Sequence, residues 1–267
     1  FVLTQLSNTE GLLTPRVLQV EPDEKWLGRP FYVMERMRGT AVFDEGAVPS
    51  EADALRSMYE QAIEMMARIH SVDWERTGLE SLYAGTESKT SLQVQLDAYR
   101  KHLDDASVNR EYPLLEAAFD YLQSNLPVES RPVLNWGDAR IGNLLYDGCE
   151  LTAVLDWEIA EITAREVDVG WFTFFERFLR KNGIEDRPGA LGDDEIVALY
   201  ERHAGVHLAN LDYYQRWAAF RLAVMRLRAG LFDIKNGLEP ATSRVDEINF
   251  GSIEMARVFG FAEPGEL

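Results

Sequence analysis

The chain has 267 residues, 46% hydrophobic and 27% charged, which excludes a disordered chain and supplies enough apolar material for one large or two small globular domains. Its 45 acidic and 27 basic residues leave a net charge of −18, so no nucleic-acid partner is expected; the acidic excess could steer a cationic ligand or simply keep the protein soluble. No run of about 18 apolar residues exists, so no membrane span is expected, and the single Cys149 excludes an internal disulfide framework and suits the cytoplasm.

In chain order, Phe1 to Leu6 reads as a helix end and Pro15 to Val20 as a strand, followed by a solvated turn from Glu21 to Lys25. Phe31-Tyr32-Val33-Met34-Glu35-Arg36-Met37-Arg38-Gly39 alternates as a strand would. Ser50 with Asp53 resembles a capping box that opens a helix running to about Ile69. Leu55, Met58, Tyr59, Ala62, Met66 and Ile69 recur on its buried face, and His70 ends it, where a cation or polar cap is favoured. A polar loop from Ser71 to Thr90 leads to helices at about Ser91 to Leu103 and Pro113 to Leu126, then a strand at Val133-Leu134. Late in the chain, helices are expected at Ala164 to Asn182, Asp193 to His203, Leu208 to Phe232 and Thr242 to Phe259, with a loop from Gly183 to Gly192. Arg216, Arg221, Arg226 and Arg228 gather there; they suit an anionic acceptor such as an acyl-CoA or pair with acidic neighbours along a helix.

The densest chemistry lies between these halves, in LNWGDARIGNLLYDGCELTAVLDWE from Leu134 to Glu158. Asp138 is followed five positions later by Asn143 and thirteen positions after that by Asp156. Leu144-Leu145-Tyr146 and Leu151-Thr152-Ala153-Val154-Leu155 read as short buried strands, and Asp147-Gly148 between them is a hairpin signal. Asn143 and Asp156 would thus supply two oxygen ligands, which suits Mg²⁺ carried on a nucleotide's phosphates. Asp138 could accept or orient the proton of a substrate hydroxyl, and Arg140 could offset charge on a transferred phosphoryl group.

The stretch WGDARIGNLLY…LTAVLDWEIA…REVDVGW resembles the aminoglycoside phosphotransferase family, especially the aminoglycoside-phosphotransferase-like proteins common in actinobacteria, and it also resembles the kinase-like module fused to some acyl-CoA dehydrogenases. The resemblance implies an α+β, protein-kinase-like fold: a mostly helical C-terminal lobe carrying a catalytic β-hairpin. It implies ATP- and Mg²⁺-dependent phosphoryl transfer to a small-molecule hydroxyl acceptor. Asp138 is then the catalytic base, Arg140 lies near the phosphates, and Asn143 and Asp156 bind Mg²⁺. Asp168 braces the catalytic loop from the following helix, and Glu158 supports the metal. Backbone groups near Glu35 and Met37 contact adenine, with Met34 at the back of the pocket.

Two departures stand out. The family's usual His-Gly-Asp is here Trp136-Gly137-Asp138, which makes Trp136 a packing residue. Residues 1–38 hold no Gly-rich loop and no plausible strand lysine, since Lys25 sits in a turn. They are expected to be a remnant of the nucleotide-binding lobe and the inter-lobe linker, with 39–267 forming the helical lobe. A kinase-like binding module without turnover and a metal-dependent phosphohydrolase remain open as alternatives. Trp171, Phe175, Glu176, Tyr213, Tyr214 and Trp217 are candidates to line the acceptor site, or to belong to the core.

Overall fold

A computed structural model describes residues 1–7, 9–41, 49, 51–108, 110–179 and 188–265. After helix α1 (Val2–Leu6), strands β1 (Val17–Glu21) and β2 (Phe31–Met34) pair as an antiparallel ribbon with Glu21 opposite Phe31. Leu18, Val20, Tyr32, Val33 and Met34 on this ribbon are all exposed. Strand β3 (Thr40–Ala41) joins the edge of the hairpin formed by β5 (Leu144–Asp147) and β6 (Glu150–Val154). A separate pair, β4 (Val133–Asn135) with β7 (Glu161–Thr163), sets Asn135 opposite Glu161.

The rest is helical, and most helix starts have a local cause. In α2 (Ala52–His70) the expected stripe of Leu55, Met58, Tyr59, Ala62, Met66 and Ile69 is buried. The residue preceding it, Glu51, makes no side-chain cap bond, and the expected cap Ser50 lies outside the described residues. Helix α3 (Ser91–Ala106) opens on a true capping box, in which Thr90 Oγ1 accepts from Gln93 N and Gln93 Oε1 accepts from Thr90 N. Pro113 starts α4 (Pro113–Ser124), where its missing N–H costs nothing.

Helix α5 (Glu166–Leu179) starts two residues later than the sequence suggests, and its expected end near Asn182 and much of the loop from Gly183 lie outside the described residues. Helix α6 (Asp193–Ala204) matches its expected span closely. Helix α7 (Leu211–Lys235) runs past Phe232 and starts after Asn210, which sits in the left-handed region at φ 56°. Helix α8 (Phe250–Phe259) begins well after Thr242, because the segment before it is a series of turns and Asn249 provides the cap through Ser252.

Helix α7 is the centre of the packing, flanked by α5 and α8, while α2 packs on α6. Its half from Tyr213 to Val224 is buried except for Arg216, and it carries two polar side chains, Gln215 and Arg221, into the interior. Gly170 permits the close approach of α5, because a Cβ there would lie 2.8 Å from the Tyr214 backbone. Trp136, Trp171, Trp217, Tyr200, Tyr214, Phe172 and Phe220 fill the interior.

Candidate active site on the Asp138 loop

Strand β4 ends at Asn135, and the chain turns at once through Trp136 and Gly137. Gly137 has φ 94°, and a Cβ there would come within 2.2 Å of the Ile159 carbonyl oxygen, so only glycine fits this turn. The turn is held from behind by Asp168 in the first turn of α5, which is completely buried. Its Oδ2 accepts from Trp136 N at 2.6 Å and its Oδ1 from Gly137 N at 2.9 Å. Asp168 N in turn donates to Asn135 Oδ1 at 3.1 Å. His70, at the end of α2, places Nε2 3.1 Å from Asp168 Oδ2 and Nδ1 2.6 Å from the Tyr200 hydroxyl. Nε2 is thus directed at the carboxylate, and Nδ1 shares a hydrogen bond with the Tyr200 hydroxyl. His70 therefore serves the loop through Asp168, a long-range contact that helix-end reasoning could not reveal.

Asp138 projects from the far side of the same turn. Its Oδ2 accepts from Asn143 Nδ2 at 2.6 Å and from Arg140 Nε at 2.9 Å. Its Oδ1 accepts from Trp171 Nε1 at 2.8 Å. A 3₁₀ turn over Ile141–Asn143 brings the amide back onto the carboxylate, and Asn143 Nδ2 also donates to Asp138 O at 3.1 Å. The Arg140 guanidinium lies 5.9 Å from the centre of the Phe175 ring.

The hairpin carries the other end of the site. Leu144 pairs with Val154, and Leu155 N donates to Asn143 O at 2.9 Å, so the residues flanking Asp156 are tied to Asn143. Trp136 Nε1 donates to Leu155 O at 2.6 Å, which adds a polar duty to its packing role. Strand β6 ends at Val154, before the expected Leu155, and Asp156 adopts φ 62°. A left-handed non-glycine residue costs about 1–3 kcal/mol, and such strain gathers where a side chain must be aimed. Asp156 and Glu158 are exposed and open onto a cleft of about 620 Å³ that Val17, Phe31 and Met34 also line.

These donors fit a hard divalent cation. The Asn143 nitrogen is committed to Asp138, which leaves its oxygen as the atom that would meet a cation, and Asp156, next in the chain to the Leu155 whose N–H donates to Asn143 O, would add a carboxylate. Among the described residues no group of three or more His, Cys, Asp or Glu side chains could hold a metal. A site of this kind relies on phosphate oxygens and water for its remaining ligands, which is the usual habit of Mg²⁺.

Of the residues singled out in the sequence, Asp138, Arg140 and Asn143 form one hydrogen-bonded set braced by Asp168, and Asp156, Glu158 and Met34 share the cleft. Glu35 and Met37 do not line that cleft, and the Glu35 N–H is spent on Arg16 O at 2.8 Å. Among the proposed acceptor-lining residues, Tyr213, Tyr214 and Trp217 are core residues of α7. Behind Trp171 lies the buried Arg221, facing the half-buried Glu161, a pair that sequence reading did not connect to the site. Burial pushes the Glu161 carboxyl up to about 7, against the pull of Arg221 and with a further push from Asp168 and Glu129.

Residues 2–218 match the model of the phosphotransferase enzyme family. Acyl-CoA dehydrogenase family member 10 of Mus musculus is 27% identical over 84% of this chain, and family member 11 of Homo sapiens is 25% identical over 80%. The chain spans 22% and 28% of the length of these two relatives. Among solved structures, a Ralstonia eutropha protein assigned as an aminoglycoside phosphotransferase superposes with a TM-score of 0.75 at 22% identity, covering 92% of this chain and 75% of that one. A thermostable mutant of aminoglycoside phosphotransferase APH(4)-Ia, in a ternary complex with ADP and hygromycin B, superposes with a TM-score of 0.62 at 17% identity, covering 97% of this chain and 79% of that one. These likenesses establish a shared α+β, protein-kinase-like fold.

Proposed function

Because the chain belongs to the phosphotransferase enzyme family, we propose that it transfers the terminal phosphoryl group of ATP, bound with Mg²⁺, to a hydroxyl of a small molecule. Asp138 meets the acceptor hydroxyl and takes up its proton as the new P–O bond forms and the bond from the terminal phosphorus to the bridging oxygen breaks, releasing ADP. Arg140, bonded to the same carboxylate, faces the transferred group and offsets its charge. Asn143 and Asp156 hold the cation, which when bound neutralises phosphate charge, and Glu158 supports that ligand set. Asp168 keeps the loop in register by gripping two consecutive backbone N–H groups. In the same reading residues 1–38 form the adenine side of the cleft and 39–267 the catalytic side. Met34 backs the pocket, while the Met37 backbone and the Glu35 carbonyl are the groups left to meet adenine. A cytoplasmic setting, where ATP is abundant and an exposed thiol such as Cys149 stays reduced, goes with this activity.

The observation that carries the reading is the juxtaposition at one end of the hairpin. Asn143 is bonded to Asp138, and the neighbouring Asp156 opens onto the cleft lined by Met34. Calorimetric titration of Mg·ATP, combined with turnover on a panel of alcohols, tests it. Asp156→Asn is expected to weaken Mg·ATP binding. Asp138→Asn is expected to leave binding near wild type and to abolish phosphorylated product. Product formation by Asp138→Asn at the wild-type rate would sink the assignment. Phosphate release from Mg·ATP as the main activity, with every alcohol left unphosphorylated, would make the protein a hydrolase instead.

A further inference from the structure

Resting on the reading of Asp138 above, we propose that Trp171 and Arg221 are positioning residues for it: the Trp171 indole N–H, polarised by the guanidinium over its ring, fixes Oδ1 as the oxygen that receives the acceptor hydroxyl.

The first part of the argument is a count of lone pairs. An ionised carboxylate has about four acceptor sites, two on each oxygen. On Asp138, Oδ2 already takes Arg140 Nε and Asn143 Nδ2, whereas Oδ1 takes only Trp171 Nε1. Among the described residues, the remaining acceptor site is therefore on Oδ1, beside the indole N–H. That bond also stops the carboxylate from rotating, so the remaining lone pair points in one direction.

The second part concerns what lies behind the indole. The Arg221 guanidinium sits 4.8 Å from the centre of the Trp171 ring, and its side chain is only 5% exposed. Its carboxylate neighbour, Glu161, keeps Oε1 3.6 Å from Nη1, beyond hydrogen-bond reach. Arg221 Nε and Nη1 and Glu161 Oε1 are all buried without a hydrogen bond, while Tyr99 hydrogen-bonds the guanidinium and Asp168 is a further charged neighbour. As packing this is a costly arrangement, since apolar side chains of similar volume usually serve a core as well or better. A cation on the ring face does something an apolar side chain cannot. It draws electron density from the indole, makes the N–H a stronger donor, and in a dry interior passes that polarisation to the next bond in the chain. Trp171 follows Asp168 by three positions, so one face of α5 carries both the brace on the loop backbone and the anchor on its side chain.

The test uses the full chain labelled with ¹⁵N at its tryptophan indoles, with the Trp171 N–H resonance identified by its loss in Trp171→Phe. Arg221→Met is expected to move that resonance upfield, as is Asp138→Asn. Arg221→Lys, which keeps the charge, is expected to retain most of the wild-type shift and serves if Arg221→Met does not fold. In parallel, phosphate release from Mg·ATP, with water in place of the acceptor, is measured for Trp171→Phe. Loss of one hydrogen bond to a charged group predicts a fall in kcat of about 10- to 100-fold with KM for Mg·ATP unchanged. An ordinary packing role would instead lower the melting temperature and leave both the resonance and kcat per folded molecule alone. The proposal is overturned if the resonance stays put in the folded Arg221 variants, or if Trp171→Phe turns over at the wild-type kcat. A wild-type protein that releases no phosphate and phosphorylates no alcohol overturns the phosphotransferase reading, and the resonance still decides the Trp171–Arg221 coupling.

Discussion

Asp168→Asn changes one atom and no volume, yet its effect should be large. Asp168 is fully buried, and its two oxygens accept from Trp136 N and Gly137 N, with His70 as a further partner of Oδ2. An asparagine can satisfy only one of the two backbone donors, and its amide nitrogen must face the other. Hydrogen bonds to charged acceptors contribute about 1.5–3 kcal/mol, and a buried donor left unsatisfied costs about 1–3 kcal/mol. Local relaxation recovers part of that sum, so a loss of about 3 kcal/mol is expected. For a chain of this size each kcal/mol lowers the melting temperature by about 2–4 °C, which gives a drop of roughly 6–12 °C. Calorimetric melting measures the drop, and amide exchange at Trp136 and Gly137 locates it. If Asp168→Asn loses less than about 1 kcal/mol while both amides stay protected, the assigned role of the carboxylate as a double acceptor is wrong.

Three other outcomes follow from the geometry. Gly137→Ala forces a Cβ against the Ile159 carbonyl at a backbone angle of φ 94°; turnover should be lost along with roughly 2–4 kcal/mol of stability, as read by activity and chemical denaturation. The Glu161 carboxyl ionises in the unfolded chain near its ordinary value of 4.5 but at about 7 when folded, so its contribution to stability is greatest below 4.5 and disappears as pH rises to 7. The melting temperature of Glu161→Gln relative to wild type should therefore climb across that window, and a flat difference would contradict the assignment. Asn249→Ala removes the α8 cap that accepts from Ser252 N and should cost about 1–2 kcal/mol in denaturant unfolding.

Much of the β5–β6 hairpin was legible because its signals are local. The Asp147-Gly148 signal marks the turn, which falls on Gly148-Cys149 because Asp147 pairs with Glu150; the apolar runs beside it make strands, and the spacing from Asn143 to Asp156 follows from their pairing. The helices were legible for the same reason, since Leu55 to Ile69 repeat at helical spacing and Pro113 marks a first turn. Strand β7 was missed because Glu161–Thr163 is too short to show a period and owes its form to pairing with β4. The late start of α8 was missed because apolar residues before Asn249 continue a helical rhythm that the backbone does not follow. The brace of His70, Tyr200 and Asp168, and the stack of Arg221 on Trp171, join residues far apart in the chain. No periodicity or spacing reports such contacts.

The sequence contains one cysteine, and it lies at the turn of the β5–β6 hairpin, exposed, with its backbone carbonyl pinned by Gln61 Nε2 at 2.7 Å. A thiol-reactive dye would consequently attach at a single known position without any engineering of the chain. That position is one strand length, about 17 Å, from the end that carries Asn143 and Asp156. A fluorescent or paramagnetic reporter placed on Cys149 would view the Asn143 end of the hairpin along a ruler whose length the strand ladder fixes.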